Sequence, residues 1–249
     1  MAWCNSYPPP TTPKVDQLYG PDPYDVNFCF KIIPEALENE RVQLTPIIPR
    51  VHSAEFFSYI EKHPELYRFY PFHAAKTHEE LLLQLELLIR RDPTFVLFAI
   101  IDKTRENAFA GVIGLLHTIA QHSITEIGYV LVFPPFQRTH VTSNATGLLL
   151  HYCLEVPSAS PPGLGLRRVE WRANVMNRPS VAAAERMGMR MEGTLRWHYI
   201  LPEGKEGNAT RVDDPYKGVG RDSVMLSMCW DDWENGSREK VQEIMARQK

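Results

Sequence analysis

The sequence predicts a mixed α/β fold of the α+β type, and three observations predict it. The 249 residues are 44% hydrophobic, 10% aromatic and 23% charged, an ordinary globular composition that disfavours a disordered, collagenous or coiled-coil chain. Apolar runs of strand length alternate with stretches in which apolar residues recur at helical spacing. Proline- and glycine-rich breaks separate these runs. The length supports one substantial domain with extensions, or two very small domains.

Helix-start signals and turn residues order the elements along the chain. Ser53 is a candidate cap for the first helix. Thr77 and Glu80 have the spacing of a capping box, and Asp231 and Glu234 repeat that spacing near the C-terminus. The predicted order is strand 41–47, helix 53–63, helix 77–91, strands 95–101, 109–117 and 125–133, helix 143–155, strand 167–173, helix 179–188, strands 189–200 and 222–229, and a terminal charged helix.

Proline sets the first forty residues apart from the rest. Proline at positions 8, 9, 10, 13, 21 and 23 forbids a regular helix there. Aromatic residues among these prolines, such as Tyr7, Tyr19 and Phe28, indicate an arm that packs against the body. The sequence therefore predicts three segments: a Pro-rich arm at 1–40, the main domain at 41–233, and a charged C-terminal helix or tail at 234–249.

Charge and cysteine content exclude several function classes. The formal net charge is −3, from 27 Lys and Arg against 30 Asp and Glu, so no global field attracts nucleic acid or anionic lipid. The four cysteines form no CxxC pair, which argues against a zinc ribbon and a disulfide scaffold, and we predict no metal site. The first residues lack a secretory-signal pattern and no apolar run reaches membrane-spanning length. We expect a cytoplasmic protein without a nucleic-acid or membrane partner.

The most informative segment is a strand, a Pro-Pro break, a polar loop at 137–142 and an apolar helix. A loop that opens a helix presents unpaired N–H groups and the positive end of the helix dipole, which suits a pyrophosphate. Arg138 and His140 can add charge, while Thr139, Thr142 and Ser143 can donate hydrogen bonds. From these residues alone, an ordinary helix capped by Thr142 or Ser143 remains the alternative.

Two sequence blocks show a resemblance to a known protein family. The first is Glu126-Ile-Gly-Tyr followed by Gln137-Arg-Thr-His-Val-Thr, and the second is Asn177-x-x-Ser180 followed by Ala-x-x-x-x-Gly-x-x-x-Glu-Gly. Gly220-Arg-Asp-Ser and Trp230-Asp-Asp-Trp close the pattern. In these motifs the sequence resembles the GNAT acetyltransferase superfamily, closest to its RimJ/RimL-like branch, over about residues 41–233.

The resemblance implies a fold and a cofactor. The implied fold is a mixed, strongly twisted central sheet of about six to seven strands, with helices on both faces and central strands that splay apart to admit acetyl-CoA. The pantetheine would pair with the strand at Val130, Leu131 and Val132, and Asn177 would orient the pantetheine or the sulfur. His140 and Thr142 occupy positions that the family usually gives to small residues. The implied pyrophosphate loop comprises Gln137, Arg138, Thr139, His140, Val141, Thr142 and Ser143.

The resemblance also suggests catalytic roles. An alkyl amine has a pKa of about 10, so a base must take its proton, usually through water. Glu126 is the candidate base, a backbone N–H near Leu131 would polarise the thioester carbonyl, and Ser180 would protonate the departing thiolate. Glu126 has an alternative as a solvent-facing strand carboxylate in a cross-strand pair, and Asn177 and Ser180 have one as helix caps. Histidines 117, 122 and 151 lack metal-ligand spacing and are interpreted as core or surface residues.

The predicted function is acetyl-CoA-dependent N-acetyl transfer, directly to a primary amine of a small molecule or a protein N-terminus. The loop at 202–220, with Asp213 and Asp214, is either an acceptor-side lid or a surface insertion. Two rival functions remain open at this point: a non-catalytic acyl-CoA-binding protein that keeps the fold, and a transferase for another acyl group. A monomer and a homodimer are equally compatible with the family.

Overall fold

The computed structural model describes residues 4, 6, 11 and 13–247, and Tyr7 of the predicted arm lies outside them. Within these residues seven strands and six α-helices follow in mixed order. The seven strands follow the predicted order, whereas the terminal helix that the sequence predicts as one is divided into two. The strands are β1 (Val42–Pro46), β2 (Val96–Asp102), β3 (Ala108–Ile119), β4 (Ile124–Val132), β5 (Arg168–Asn174), β6 (Arg190–Ile200) and β7 (Gly220–Cys229). The helices are α1 (Pro49–Lys62), α2 (His78–Gln84), α3 (Val141–Leu154), α4 (Arg178–Arg186), α5 (Trp230–Asp232) and α6 (Arg238–Ala246).

The strands form one mixed sheet in the order β1-β2-β3-β4-β5-β7-β6. All neighbouring strands are antiparallel except β4 and β5, which are parallel. Strands β3 and β4 approach closely opposite Gly111, where φ is +148° and a Cβ would collide with the carbonyl oxygen of Leu131. The mixed, seven-stranded sheet with packed helices confirms the predicted fold class.

The sheet opens between β4 and β5. These strands pair over only three residue pairs, which begin at Ile124 with Arg168 and end at Glu126 with Glu170. Beyond this point each strand continues without the other. Tyr129 interrupts β4 with a φ of +55° at an irregularity in the β3–β4 register, and such a bulge bends a strand. The opening therefore lies in the middle of the sheet, beside unpaired edges of β4 and β5.

Helix α3 anchors the core behind this opening. It contacts strands β1 to β5 and helix α6, whereas α4 contacts β5 and β7. A cluster of buried and half-buried aromatic rings joins α1 to the sheet: Phe133 stacks on Tyr59 with ring centroids 3.9 Å apart and meets Phe56 at 6.0 Å. Burying such side chains away from water contributes about 1.5 to 3 kcal/mol each, so these contacts hold the helices in place around the sheet.

Part of the predicted arm lies against the body. Leu18 is buried, and Phe28 and Phe30 pack against the core. The Tyr152 hydroxyl of α3 donates to the carbonyl of Lys31 at 2.6 Å, and the Cys29 N–H donates to the carbonyl of Pro93 at 2.9 Å. The segment boundaries at 40 and 234 stay predictions.

The first residues of helices α1 and α2 differ in part from those that the sequence predicts. Helix α1 begins at Pro49, so Ser53 is a buried helical residue rather than a cap. Thr77 is the predicted cap of α2, since its hydroxyl accepts from the Glu80 N–H at 3.1 Å. The Glu80 carboxylate instead accepts from the Lys76 N–H at 2.6 Å. The remainder of the predicted helix, residues Leu85–Arg90, is a π-helical turn.

The capping box predicted at Asp231 and Glu234 is wrong. Helix α5 already begins at Trp230, and the Asp232 carboxylate accepts from the N–H of Cys229 at 3.1 Å. A π-helical segment follows, and Gly236 at φ +105° breaks the chain direction before α6. The signal failed because Cys229, which takes the N-cap position, is not one of the residue types that the pattern uses. Among the described residues, no helix is long and apolar enough to cross a membrane.

Candidate active site

A cleft of about 490 Å³ lies where β4 and β5 separate. The segment before α2 supplies one wall through Phe69, Tyr70 and Phe72, while β4, β5 and the start of α4 supply the rest. Four residues that the sequence predicts for the site line this cleft: Glu126, Val130, Asn177 and Ser180. The splayed strands thus bring together side chains that are up to 54 positions apart in sequence.

Glu126 is buried at the closed end of the opening, with 5% of its surface exposed. Its Oε2 lies 2.9 Å from Nδ1 of His117 on β3 and 3.3 Å from Nε of Arg172 on β5. The alternative of a solvent-facing carboxylate is therefore wrong, although the cross-strand pairing it included is present. A buried carboxylate needs such partners, because an unpaired charge is costly away from water.

His117 is a cleft residue that sequence reasoning missed. Its side chain is 41% exposed, contacts the Phe95 ring edge-on at 4.9 Å and lines the same cavity as Glu126. The backbone at His117 has φ +49°, within an irregularity of the β3–β4 register between Leu116 and Ile119. A bulge re-aims a side chain, and no spacing rule for metal ligands could have indicated it.

Asn177 and Ser180 sit at the start of α4. The Asn177 side-chain oxygen accepts from the Ser180 N–H at 3.3 Å, so the helix-cap interpretation holds for Asn177. The Trp171 indole N–H donates to the Ser180 hydroxyl oxygen at 3.0 Å. The hydroxyl proton of Ser180, a residue that lines the cleft, has no acceptor among the described residues, so it remains available for donation. The cap therefore also fixes the position of a donor.

The polar loop before α3 exposes backbone donors. The helix begins at Val141 with His140 at the N-cap and no side-chain cap, so Thr142 and Ser143 are helical residues and the cap predicted for them is wrong. The Ser143 hydroxyl donates to the carbonyl of His140 at 3.0 Å, and that of Thr139 donates to the carbonyl of Phe136 at 2.6 Å. Within the described part of the chain, five N–H groups of this loop have no acceptor: those of Arg138, Thr139, His140, Thr142 and Ser143. This cradle suits an anion.

Strand β4 leads from the cleft toward this loop. On the β3 side, Leu131 pairs with Val112 and Val132 pairs with Gly111, whereas the β5 side has no strand partner after Glu126. The Gln137 side chain donates to the carbonyl of Val132 at 2.9 Å, which ties the loop to the strand end. An extended ligand that carries amide groups can use such an open edge as another strand would.

The family follows from the sequence together with this geometry. Residues 41–190 match the family described as the acetyltransferase (GNAT) domain. The chain belongs to the GNAT acetyltransferase family. It is thus an acyltransferase of a family that uses acyl-CoA. A search of curated proteins finds no match.

Solved structures support the assignment to the GNAT family. A GCN5-related N-acetyltransferase from Brucella melitensis is 26% identical, with a TM-score of 0.68 over 84% of this chain and 85% of that chain. A probable acetyltransferase of the GNAT family from Chromobacterium violaceum is 25% identical, with a TM-score of 0.68 over 92% and 100%. Spermidine N-acetyltransferase from Vibrio cholerae, in complex with CoA and spermine, is 15% identical, with a TM-score of 0.59 over 79% and 100%, and shares the fold.

In this GNAT domain the imidazole of His140 does not line the cleft. Its Nε2 lies 3.2 Å from Oδ1 of the buried Asp102, a charge contact outside hydrogen-bond geometry. Burial, followed by the charge of Arg41, lowers the pKa of His140, against the opposing charge of Asp102. Thr142 is half-buried, Val141 is buried and Arg138 is exposed with φ +60°. The bulk of the imidazole thus lies against Asp102, and the N–H of His140 remains unpaired.

Two tyrosines form an aromatic wall that the sequence analysis did not assign to the GNAT site. Tyr129 of β4 meets Tyr70 with ring centroids 5.2 Å apart and Phe72 at 5.7 Å. Burial raises the pKa of Tyr70 and of Tyr129 well above the ordinary value. The Tyr70 hydroxyl is buried and has no partner among the described residues. Tyr70 is therefore a neutral donor on the cleft wall.

The loop at 202–220 of the GNAT domain places its two neighbouring aspartates away from the cleft lining. Asp213 pairs with Arg211 at 3.3 Å, and Asp214 accepts from the Tyr216 N–H at 2.9 Å. Glu206 instead pairs with Arg68 at 3.0 Å, near the segment that forms the aromatic wall. Because neither aspartate lines the cleft, the geometry favours the surface insertion over the acidic lid.

Proposed function

We propose that this GNAT protein is an acetyl-CoA-dependent N-acetyltransferase of the RimJ/RimL-like branch. It transfers acetyl directly to a primary amine, on a small molecule or a protein N-terminus, within a ternary complex. The observation that carries the proposal is one continuous path: the buried carboxylate of Glu126 in the cleft, the open edge of β4, and the unpaired N–H groups before α3.

The cofactor side of this path accommodates an acyl-CoA. When bound, acetyl-CoA supplies an activated acetyl group as a thioester. The backbone of Val130, Leu131 and Val132 would bind the pantetheine amides, and the N–H groups of 138–143 would bind the pyrophosphate, with the guanidinium of Arg138 adding charge. Asn177 would orient the pantetheine arm near the sulfur.

The reaction needs a neutral amine, a polarised carbonyl and a proton for the sulfur. Glu126 with His117 would take the proton of the incoming amine, directly or through one water. The nitrogen then forms a bond to the carbonyl carbon while a backbone N–H near Leu131 stabilises the carbonyl oxygen. The carbon–sulfur bond would break, and Ser180 would pass its hydroxyl proton to the departing sulfur while taking a replacement proton from solvent. The proton removed from the amine would leave Glu126 and His117 to solvent. Tyr70 supplies a further hydroxyl donor on the cleft wall.

Two measurements test the proposal. Isothermal titration with acetyl-CoA should show binding, and no binding at millimolar cofactor would end the proposal. Release of CoA thiol should then be followed with a diverse panel of primary amines. Tight CoA binding without thiol release for any amine would favour the non-catalytic rival. Faster release from propionyl- or succinyl-CoA than from acetyl-CoA would favour another acyl group.

A further inference from the structure

Arg221 is a buried guanidinium without a carboxylate partner. It stands at the start of β7, is 7% exposed and lines the cleft. Its Nη1 makes one long hydrogen bond, 3.4 Å, to the carbonyl of Phe69. Its guanidinium carbon lies 5.2 Å from the centroid of the Tyr199 ring, and its Nε is buried without any partner. Within the described residues no carboxylate oxygen lies within 4.0 Å of it.

The other arginine of the cleft is already neutralised. Arg172 lies 3.3 Å from Glu126 and donates to Glu170 at 2.8 Å. Asp92, which also lines the cleft, accepts hydrogen bonds from the N–H of Thr94 at 2.9 Å and from its hydroxyl at 2.7 Å. Arg221 is therefore the one guanidinium on the described cleft lining that lacks a carboxylate. Because a guanidinium keeps its proton, it cannot relieve this cost by becoming neutral.

A buried guanidinium that uses only one long hydrogen bond points to a bidentate anion. Arginine matches the two oxygens of a carboxylate with parallel N–H donors, and removing water from such a pair strengthens it. One unpaired guanidinium balances one negative charge, whereas a phosphate monoester carries about −1.5 to −2. A carboxylate is thus the better match for Arg221.

We propose that the acceptor is a small amino acid-like amine, whose carboxylate binds Arg221 while its amino group faces Glu126 and His117. This inference rests on the proposed acetyl transfer to an amine. Much of the remaining cleft lining is apolar, with Leu66, Phe69, Phe72 and Leu88 among its residues. That wall suits an apolar or aromatic side chain on the acceptor.

Wild-type protein tests the inference without any variant. Calorimetric titrations, with and without saturating CoA, should compare L-phenylalanine with L-phenylalaninamide and 2-phenylethylamine, and L-leucine with L-leucinamide. Each carboxylate probe should bind about 10- to 100-fold more tightly than its partner, the range expected for a hydrogen-bonded charge pair. Equal affinities, tighter binding of the amides, or no binding of any probe would overturn the inference.

Variants then assign the preference to Arg221. Arg221→Leu should remove the preference for the carboxylate probe, and Arg221→Lys should keep only part of it, since an ammonium lacks the planar fork. Arg211→Leu, on the exposed loop, is the matched control and should keep the wild-type preference. Circular dichroism checks folding; if Arg221→Leu fails to fold, the wild-type and Arg221→Lys titrations decide. An Arg221→Lys variant with the full preference would overturn the role of the guanidinium.

The titrations separate this inference from the proposed function. Failure of CoA to bind would remove the acetyltransferase proposal, whereas the probe comparison on CoA-free protein still reports on Arg221. Conversely, CoA binding and acetylation of amides and amino acids at equal kcat/KM would leave the transferase standing and remove the carboxylate preference.

Discussion

The Nδ1 of His117 lies 2.9 Å from Oε2 of Glu126, and the same oxygen lies 3.3 Å from Nε of Arg172. The carboxylate therefore fixes the orientation of the imidazole, whose other nitrogen has no partner among the described residues. A histidine held through one nitrogen by a carboxylate is well placed to accept a proton at the other.

Replacing Glu126 with glutamine should lower kcat while leaving the affinity for acetyl-CoA nearly unchanged. The amide keeps the size of the side chain but can neither accept a proton nor neutralise Arg172. We expect a loss of about 100-fold or more in kcat, within the range for general bases, measured by thiol release and calorimetry. Glu38→Gln, on a partly exposed residue paired with Lys103, is the control. An unchanged pH–rate profile would clear Glu126 of the base role.

Replacing His117 with glutamine should lower kcat/KM at neutral pH by about 10-fold or more, because the amide cannot accept the proton of the incoming amine. Thiol release measures the rate. If the variant keeps the wild-type rate, His117 is only a support for Glu126.

Ser180→Ala should slow transfer by about 10-fold or more if the hydroxyl protonates the leaving sulfur. The change also removes the acceptor of the Trp171 indole N–H. Trp171→Phe removes that hydrogen bond while keeping the hydroxyl, so it measures the positioning effect alone. Single-turnover thiol release measures the transfer rate of both variants. Equal losses of rate in the two would show that Ser180 is only a positioning residue.

Arg138→Gln should weaken binding of acetyl-CoA by about 3- to 10-fold, because an exposed guanidinium contributes modestly to phosphate binding. The loss should shrink as salt is added. Calorimetry at low and high ionic strength measures both effects, with Arg211→Gln as the exposed control. A loss that is independent of salt would place Arg138 outside the pyrophosphate site.

The free energy of unfolding should fall as pH decreases from 7.5 to 5.5. Burial is the largest cause that lowers the pKa of four histidines, His52, His140, His151 and His198. Their neutral form is favoured in the folded state, so the unfolded chain takes up protons at a higher pH than the folded protein does. Below about pH 6.5 this proton uptake stabilises the unfolded chain and lowers the free energy of unfolding. The decline should level off below the folded pKa values.

Urea unfolding at pH 7.5, 6.5 and 5.5 measures this pH dependence. These pH values lie above the range in which the carboxylates change their contribution to stability. Hydrogen bonds from Arg168 lower the pKa of Glu192 to about 2, so the stability contributed by Glu192 is present above about pH 4.5 and is lost only below it. His52→Asn should flatten part of the slope. Stability that rises or stays constant toward pH 5.5 would contradict the prediction.

The sequence predicts the sheet and the helix that follows the polar loop. It also predicts that Glu126, Asn177 and Ser180 belong to one site. Hydrophobic periodicity and family motifs carry that information, because both are local in sequence. The partnership of His117 with Glu126 is different: it depends on a bulge in β3, whose register no local pattern fixes. Asp102 likewise meets His140 only through the packing of β2 against the loop.

Arg221 shows a second limit of sequence reasoning. It lies within the closing Gly-Arg-Asp-Ser motif, but its lack of a carboxylate partner follows from burial beside Phe69 and Tyr199. Charge counting along the chain cannot reveal which cation lacks an anion, since the pairing partners come from distant strands.

Only three residue pairs join β4 to β5, and they connect the four strands β1 to β4 with the three strands β5, β7 and β6. An extended substrate chain bound along β4 would add hydrogen bonds across the opening between β4 and β5. Binding of the substrate would then also join the two parts of the sheet. Exchange of the backbone amide hydrogens along the facing edges of β4 and β5 should therefore slow together when the substrate is bound.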